Sequence, residues 1–401
     1  MDVAKLNLIT QEFFVNSKVL NIKIIDYGLI NKTYIVQHLY NGIESKFILQ
    51  RLSNIFESHD IVNMNHKMIT DHIKRKINNN FSNDEIRKWK LPSLIKCQSN
   101  NHFNLHYESE FWRAMLYIED VFSLEFLEDK IMAYQTGLGL AKFHKLCSDF
   151  DPSKLGKSIK NFHDTRYYIN KYMIKIKDYD FEKLDDEVKI RIQNLLNKIS
   201  HHIGFADLLL ASLSCESIDK KVIHGDPKLN NFLFDIKYKY VVSLIDLDTI
   251  NSGYYLTDLA DCIRSICNLA GENPGNDENV YFDIKSFKYF LNGYFFLDNK
   301  NKDHSFRFLL EYIYLIIFEL TIRFLTDFLE SNCYFKIKYE THNLFRAEVQ
   351  YRFLSSFLIQ IPDFLKEIKK IGISSSSFDK SGIWLRKLER SRYWTSALCK
   401  L

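Results

Sequence analysis

The chain has 401 residues, of which 46% are hydrophobic, 15% aromatic and 26% charged, so it can bury a large interior and has length for two lobes or domains. Lysine and arginine total 54 against 50 aspartates and glutamates, a balance too even for a nucleic-acid or membrane-surface binder.

The first residues, MDVAKLNLITQEFF, have no basic stretch followed by a long apolar core, so no signal peptide is expected. Leu20–Tyr27, Thr33–Tyr40 and Lys46–Leu52 read as strands, and Asn41-Gly42 between the last two is a strong hairpin signal. Tyr27–Thr33 is the candidate for a phosphate-covering loop, although its single glycine also suits an ordinary turn. A helical pattern runs from Ser53 to about Lys76, then a polar loop at 78–84, then strand-like Pro92–Gln98 and Phe103–Ile118. The expectation is a five-stranded sheet with one helix.

From Glu119 the pattern becomes mainly helical. Asp129–Leu146 is apolar around most of its circumference, with Gly137 and Gly139 permitting close packing and His144 read as an interior or rim histidine. Helices are expected over Tyr167–Lys177, Glu187–Ile203 and Ala206–Leu213. The apolar run Tyr312–Phe318, bounded by Glu311, Glu319 and Arg323, is too short to span a bilayer and reads as a buried helix. Seven scattered cysteines, 97, 147, 215, 262, 267, 333 and 399, contain no C-x-x-C pair. They point to free thiols in a reducing, cytoplasmic compartment and away from structural zinc.

Val222–Thr249 carries the chemistry. Two apolar runs, Asn231–Phe234 and Tyr240–Ile245, flank the polar turn Asp235–Lys239 as a β-hairpin with acid at both ends. A hydroxyl that attacks a nucleotide's γ-phosphate must be oriented and must lose a proton, and one carboxylate can do both. Asp226 is the candidate. Magnesium prefers oxygen ligands and is usually held by one or two carboxylates or amides plus the substrate's phosphates, which points to Asn231 and Asp246. Taken singly, each of these residues also suits an ordinary turn or strand end. The whole pattern His-Gly-Asp-x-x-x-x-Asn, strand, turn, aliphatic strand and Ile-Asp is much rarer and favours phosphoryl transfer.

This segment resembles the catalytic and metal-binding loops of the aminoglycoside phosphotransferase and choline kinase superfamily, and within it most the N-acetylhexosamine 1-kinases. Gly28–Tyr34, Phe47–Leu52, Phe111-Trp112-Arg113 and Phe162–Thr165 extend the likeness before the hairpin. Asp258–Ser265, Arg323–Asp327, Tyr334-Phe335-Lys336 and Asn343–Arg346 extend it beyond.

The resemblance implies an α+β, bilobal protein-kinase-like fold with a small, mainly β N-lobe at 1–118 and a larger, mainly α C-lobe at 119–401. It implies ATP and Mg2+ as cofactors, Asp226 as catalytic base, Asn231 and Asp246 as metal ligands, and Asp248 as a support. Asn31, Thr33, Gln50 and Arg51 fall on its nucleotide side, and Arg323 and Tyr334 on its sugar side. The implied partner is a small-molecule acceptor, a sugar phosphorylated at its anomeric hydroxyl, with no nucleic acid and no membrane. The alternatives are an aminoglycoside, a choline-like amine or another small alcohol as acceptor, or a pseudokinase. Glu319, Arg323 and Asp327 recur every four residues, as a polar strip or an ion-pair ladder.

Three departures stand out. Where protein kinases place a phosphate-holding lysine on the third strand, this chain has Gln50, with Arg51 on the other strand face. Pro227 follows Asp226 where threonine is common in the family, and Leu259-Ala260 stands in place of Leu-Gly.

Overall fold

Alternation along the first strands decides how the N-terminal part is built. The computed structural model describes residues 3–25, 30–79, 88–271, 273–275, 280–297 and 304–372. Tyr27, Gly28 and Leu29 of the expected phosphate loop, most of the 78–84 loop and Cys399 lie outside these residues. Helix α1 (Val3–Phe13) precedes β1 (Lys18–Ile25), β2 (Lys32–Tyr40) and β3 (Ile43–Leu52). Helix α2 (His59–Asn79) follows, then β4 (Leu94–Ile95), β5 (Leu105–Tyr107) and β6 (Glu110–Leu116). The six strands form one antiparallel sheet, in the order β1-β2-β3-β6-β4 with β5 paired to β6. Asn41 and Gly42 both take positive φ, 51° and 77°, as the two-residue hairpin between β2 and β3 requires.

Tyr34, Val36, Phe47, Leu49, Trp112 and Ala114 line one sheet face and bury Leu6, Ile9 and Phe13 of α1. The opposite face carries Thr33, Gln50 and Arg113, which pair in register across three strands. One face is thus a small core and the other is polar. Among the described residues, the expected five strands and one helix become six strands and two helices. Glu108 turns with φ 50° inside the expected Phe103–Ile118 strand and makes β5 and β6 a hairpin. Helix α1 is not among the expected elements.

After β7 (Val121–Phe122) come α3 (Lys130–Cys147), α4 (Thr165–Asp178) and α5 (Asp186–Ser214). The two helices expected at 187–203 and 206–213 are one, because Ile199, Ala206 and Leu209 keep one buried face across Gly204; an interior glycine costs a helix only about 1 kcal/mol. The hairpin region comprises β8 (Lys221–Ile223), β9 (Phe232–Asp235), β10 (Val241–Leu244) and β11 (Asn251–Gly253). Strands β9 and β10 pair with each other and with β7, and β8 pairs with β11.

Helices α6 (Tyr255–Cys267), α7 (Ile284–Tyr294), α8 (Leu309–Leu329), α9 (His342–Ile359) and α10 (Ile361–Lys370) complete the described chain. Helix α8 packs against α4, α6 and α9 in the main core and contains Tyr312–Phe318, so the expected buried helix is present. No helix among the described residues is long and apolar enough to cross a membrane. The six described cysteines are free thiols.

Asp129 caps α3 by accepting the Met132 N–H at 2.9 Å. Helices α3 and α7 meet backbone to backbone: a Cβ added at Gly137 would lie 2.1 Å from Phe290 O, and one at Gly293 1.9 Å from Tyr134 O. Gly293→Ala must therefore push the two helices apart. It is expected to lose about 1–3 kcal/mol of stability, the usual cost of overpacking, read as a lowered midpoint in urea unfolding.

Candidate active site

The turn after β8 needs glycine. Gly225 has φ 88°, and a Cβ there would lie 2.6 Å from Thr249 O. Asp258, fully buried at the start of α6, accepts the N–H groups of His224 at 2.7 Å and Gly225 at 2.8 Å. It also accepts Nε2–H of His144 at 2.9 Å, leaving His144 Nδ1 to accept from the Tyr294 hydroxyl at 2.8 Å. His144 is thus a satisfied interior histidine that reaches the His224–Gly225 turn through Asp258. His224 donates from Nε2 to Ile245 O at 2.9 Å, which ties the turn to the far end of the hairpin.

Asp226 leaves this turn with its side chain about 25% exposed and Lys228 Nζ 2.8 Å from Oδ2. Burial pushes its carboxyl up, but Lys228 with His224 and Arg264 outweighs burial and holds it below the usual carboxylate range. An ionised Asp226 at neutral pH can accept a proton. Asn231 returns toward it: Nδ2 donates to Asp226 O at 2.8 Å, which fixes which end of the amide is oxygen. Ile245 N–H donates to Asn231 O at 2.9 Å and brings the end of β10 alongside. Asp246 follows in the left-handed region, φ 65° and ψ 54°, a strained conformation that asparagine and aspartate tolerate best.

The hairpin therefore gathers Asp226, Asn231 and Asp246 at one end. Burial, then the carboxylates of Asp248 and Asp226, push Asp246 up to about 7, with Lys228 and Arg113 opposing. A dication would relieve that crowding, and the donors are oxygens, so the residues fit magnesium.

Asp248 faces the N-terminal sheet. It is 3% exposed, ion-paired with Arg113, and accepts from Asn31 Nδ2 at 2.7 Å. Asn31 also accepts the Ser53 N–H at 3.0 Å and, through its carbonyl, Lys336 Nζ at 2.9 Å. On the polar sheet face Gln50 Nε2 donates to Thr33 Oγ1 at 2.9 Å, and Arg113 donates to Gln50 Oε1 from Nε at 3.0 Å and from a terminal nitrogen at 2.6 Å. Beside them the Asn63 amide Nδ2 is buried with no hydrogen-bond partner among the described residues, a donor free for a nucleotide oxygen or a water. Arg51 lies on the other face, ion-paired with Glu110. Of Gln50 and Arg51, it is Gln50 that shares the cleft face with Thr33 and Arg113.

Next to Asp226 is a cavity of about 70 Å³ lined by Phe162, His163, Asp261, Arg264, Glu319, Arg323, Tyr334 and Phe335, among others. Arg323 and Tyr334 both reach it, with Arg323 donating to the Tyr334 hydroxyl at 3.5 Å. The Glu319–Arg323–Asp327 strip divides. Glu319 and Arg323 line the cavity at 3.4 Å from each other, whereas Asp327 accepts the Tyr334 N–H at 2.7 Å and the Phe335 N–H at 2.9 Å and so folds the cavity wall.

Sequence reading assigned no role to Lys228, Arg113, His163 or Asp258. Arg113, His163 and Asp258 carried a signal only as members of the motifs Phe111–Arg113, Phe162–Thr165 and Asp258–Ser265 on which the resemblance rests.

Residues 91–282 match the family model described as phosphotransferase enzyme family. Among solved structures, the chain is similar to an aminoglycoside phosphotransferase from Alicyclobacillus acidocaldarius, 13% identical over 88% of this chain and 95% of that one, TM-score 0.56. A spectinomycin phosphotransferase solved with ADP and spectinomycin is 14% identical over 90% and 98%, TM-score 0.55. A choline/ethanolamine kinase family protein from Mesorhizobium loti is 12% identical over 88% and 93%, TM-score 0.52. The fold is the bilobal, protein-kinase-like one of these phosphotransferases. The family model covers a little under half of the chain, and the solved structures, at 12–14% identity, show the shared fold.

A carboxyl raised to about 7 favours the folded state only while protonated. Its contribution is full below about pH 4 and is lost as the pH climbs through about 7. Without divalent cations, Asp246→Asn is expected to raise the thermal unfolding midpoint by several degrees near pH 8 and by less near pH 5. Scans of both proteins at the two pH values check this.

Proposed function

We propose that the protein is a magnesium- and ATP-dependent sugar kinase that transfers the γ-phosphate to the anomeric hydroxyl of an N-acetylhexosamine. The observation that carries the choice of acceptor is the charge state of the cavity beside Asp226. Each carboxylate lining it has a cationic neighbour: Asp226 has Lys228 at 2.8 Å, Asp261 has Arg264 at 2.8 Å, and Glu319 has Arg323 at 3.4 Å and His163 at 3.6 Å. Burial alone would lower His163, but Glu319 outweighs it and raises the imidazole above its ordinary value. A polycationic acceptor would have to compete with these built-in cations.

A choline-like amine meets a second obstacle. Quaternary ammonium groups are recognised on aromatic faces, and here the Arg323 guanidinium already occupies them. Its Cζ lies 4.6 Å from the Tyr168 ring centroid, 5.5 Å from Phe162 and 5.6 Å from both Tyr334 and Phe335. What the cavity offers is a set of oriented hydrogen-bonding groups on an aromatic floor, a combination suited to a neutral, polyhydroxylated ring. The N-acetyl group and the anomeric position rest on the sequence resemblance at Arg323–Asp327, Tyr334–Lys336 and Asn343–Arg346.

In this reading Asp226 orients the acceptor hydroxyl and takes its proton, while Lys228 keeps the carboxylate ionised. Asn231 and Asp246 would hold Mg2+, which when bound supplies charge neutralisation for the phosphates. Arg323 and Tyr334 position the sugar.

A Mg-ATP acceptor screen with N-acetylglucosamine, N-acetylgalactosamine, an aminoglycoside and choline, with NMR of the product, tests the reading. Phosphate on C1 of an N-acetylhexosamine is the expected result. Turnover of only the amines would overturn it, and ATP binding without transfer to any acceptor would favour the pseudokinase. Asp226→Ala is expected to lower the rate about 10²- to 10⁴-fold, and near-normal turnover would remove Asp226 from the role of base.

A further inference from the structure

In protein kinases a lysine on the third strand pairs with a glutamate on the helix that follows, and that pair and the metal-binding aspartate must both be in place. This chain has no charge at either position: β3 carries Gln50, and the α2 residue facing the same cluster is Asn63. The cation is one strand over. Arg113 lies opposite Gln50 in the β3–β6 register and on the same sheet face, with 0% of its surface exposed. Its guanidinium donates to Gln50, to Asn63 Oδ1 at 3.3 Å, and to Asp248.

We propose that Arg113 is the positioning residue that replaces the missing strand lysine: it joins sheet, helix α2 and the Asp246–Asp248 turn, and so sets where the Asp246 carboxylate stands. The proposal rests on the phosphotransferase reading of the site. Three physical points support it. A guanidinium with no water access needs a counter-ion, and the one it has, Asp248, is two residues from Asp246. Gln50 is the matching change, because a lysine there would force a second cation against the buried Arg113, whereas an amide accepts from the arginine and passes a hydrogen bond on to Thr33 at 2.9 Å. Finally, Asn31 braces Asp248 from the other side at 2.7 Å, so the turn is held between two N-terminal residues and not by the hairpin alone.

The test uses the full-length protein, with Mg2+ and ADP as probes alongside turnover. In the parent, Mg2+ should tighten ADP binding in calorimetry. Arg113→Gln should bind metal-free ADP as the parent does, lose the tightening by Mg2+, and turn over about 100-fold more slowly, the scale of a small misplacement of reacting groups. Moving the charge back to the third strand, in Gln50→Lys/Arg113→Gln, should restore the Mg2+ effect and most of the rate. A residue needed only for stability would give a different pattern: the relocated pair would recover its unfolding midpoint but not the Mg2+ effect.

Arg113→Gln that keeps the Mg2+ effect and parental turnover overturns the proposal. If that variant does not fold, the relocated pair decides alone, since a folded double variant either regains the Mg2+ effect or shows that the cation does not act through the turn. A parent that binds Mg-ADP but phosphorylates no sugar sinks the sugar-kinase reading and leaves this proposal standing. A parent that binds no nucleotide sinks both.

Discussion

A charged group removed from water must be met by another, and in this protein the pairing of Arg113 with Asp248 meets that demand across the two lobes. Arg113 belongs to β6 of the N-terminal sheet, and Asp248 to the turn that follows the β9–β10 hairpin. Neither can drift without exposing an uncompensated buried charge. The sheet, helix α2 and the end of the hairpin are therefore one mechanical unit. The same pair fixes the surroundings of Asp246, whose carboxyl is crowded from the neighbouring side by Asp248.

The acceptor side is governed by a different rule. Its carboxylates are balanced within the protein, and its aromatic surface is already covered by Arg323. A pocket saturated in this way gains little from the charge of an incoming molecule and discriminates by shape and by hydrogen-bond geometry. Asp327 contributes without facing the pocket, because by accepting the amides of Tyr334 and Phe335 it sets the wall against which a ring would rest.

How much of this was legible in the sequence follows from how local each signal is. The hairpin and its acids were readable because Asp226, Asn231 and Asp246 are placed by spacing along a single antiparallel pair. The β2–β3 turn was readable from Asn41-Gly42, where chemistry and backbone conformation coincide. Helix α1 was not legible, since its apolar residues acquire meaning only once the sheet face they cover is known. The β5–β6 break at Glu108 and the continuity of α5 through Gly204 were missed for opposite reasons. A turn formed without glycine or proline gives little local sign, and a glycine inside a helix gives a false one. The partners of Asp248 and Glu319 were not readable at all, because Arg113 and His163 reach them from 135 and 156 residues away in the chain, through tertiary packing that no spacing rule encodes.

The segment from Cys333 to Lys336 has one more consequence. Tyr334 and Phe335 wall the cavity beside Asp226, while Lys336 of the same short run holds the carbonyl of Asn31, whose side chain braces Asp248. The wall of the cavity is thus also a clamp on the residue that braces Asp248. Two binding equilibria that share a structural element share a free energy, and such coupling acts equally in both directions. In the proposed reading, an acceptor resting on this wall and a nucleotide beside Asn31 would be linked through it, each changing the affinity for the other by the same factor.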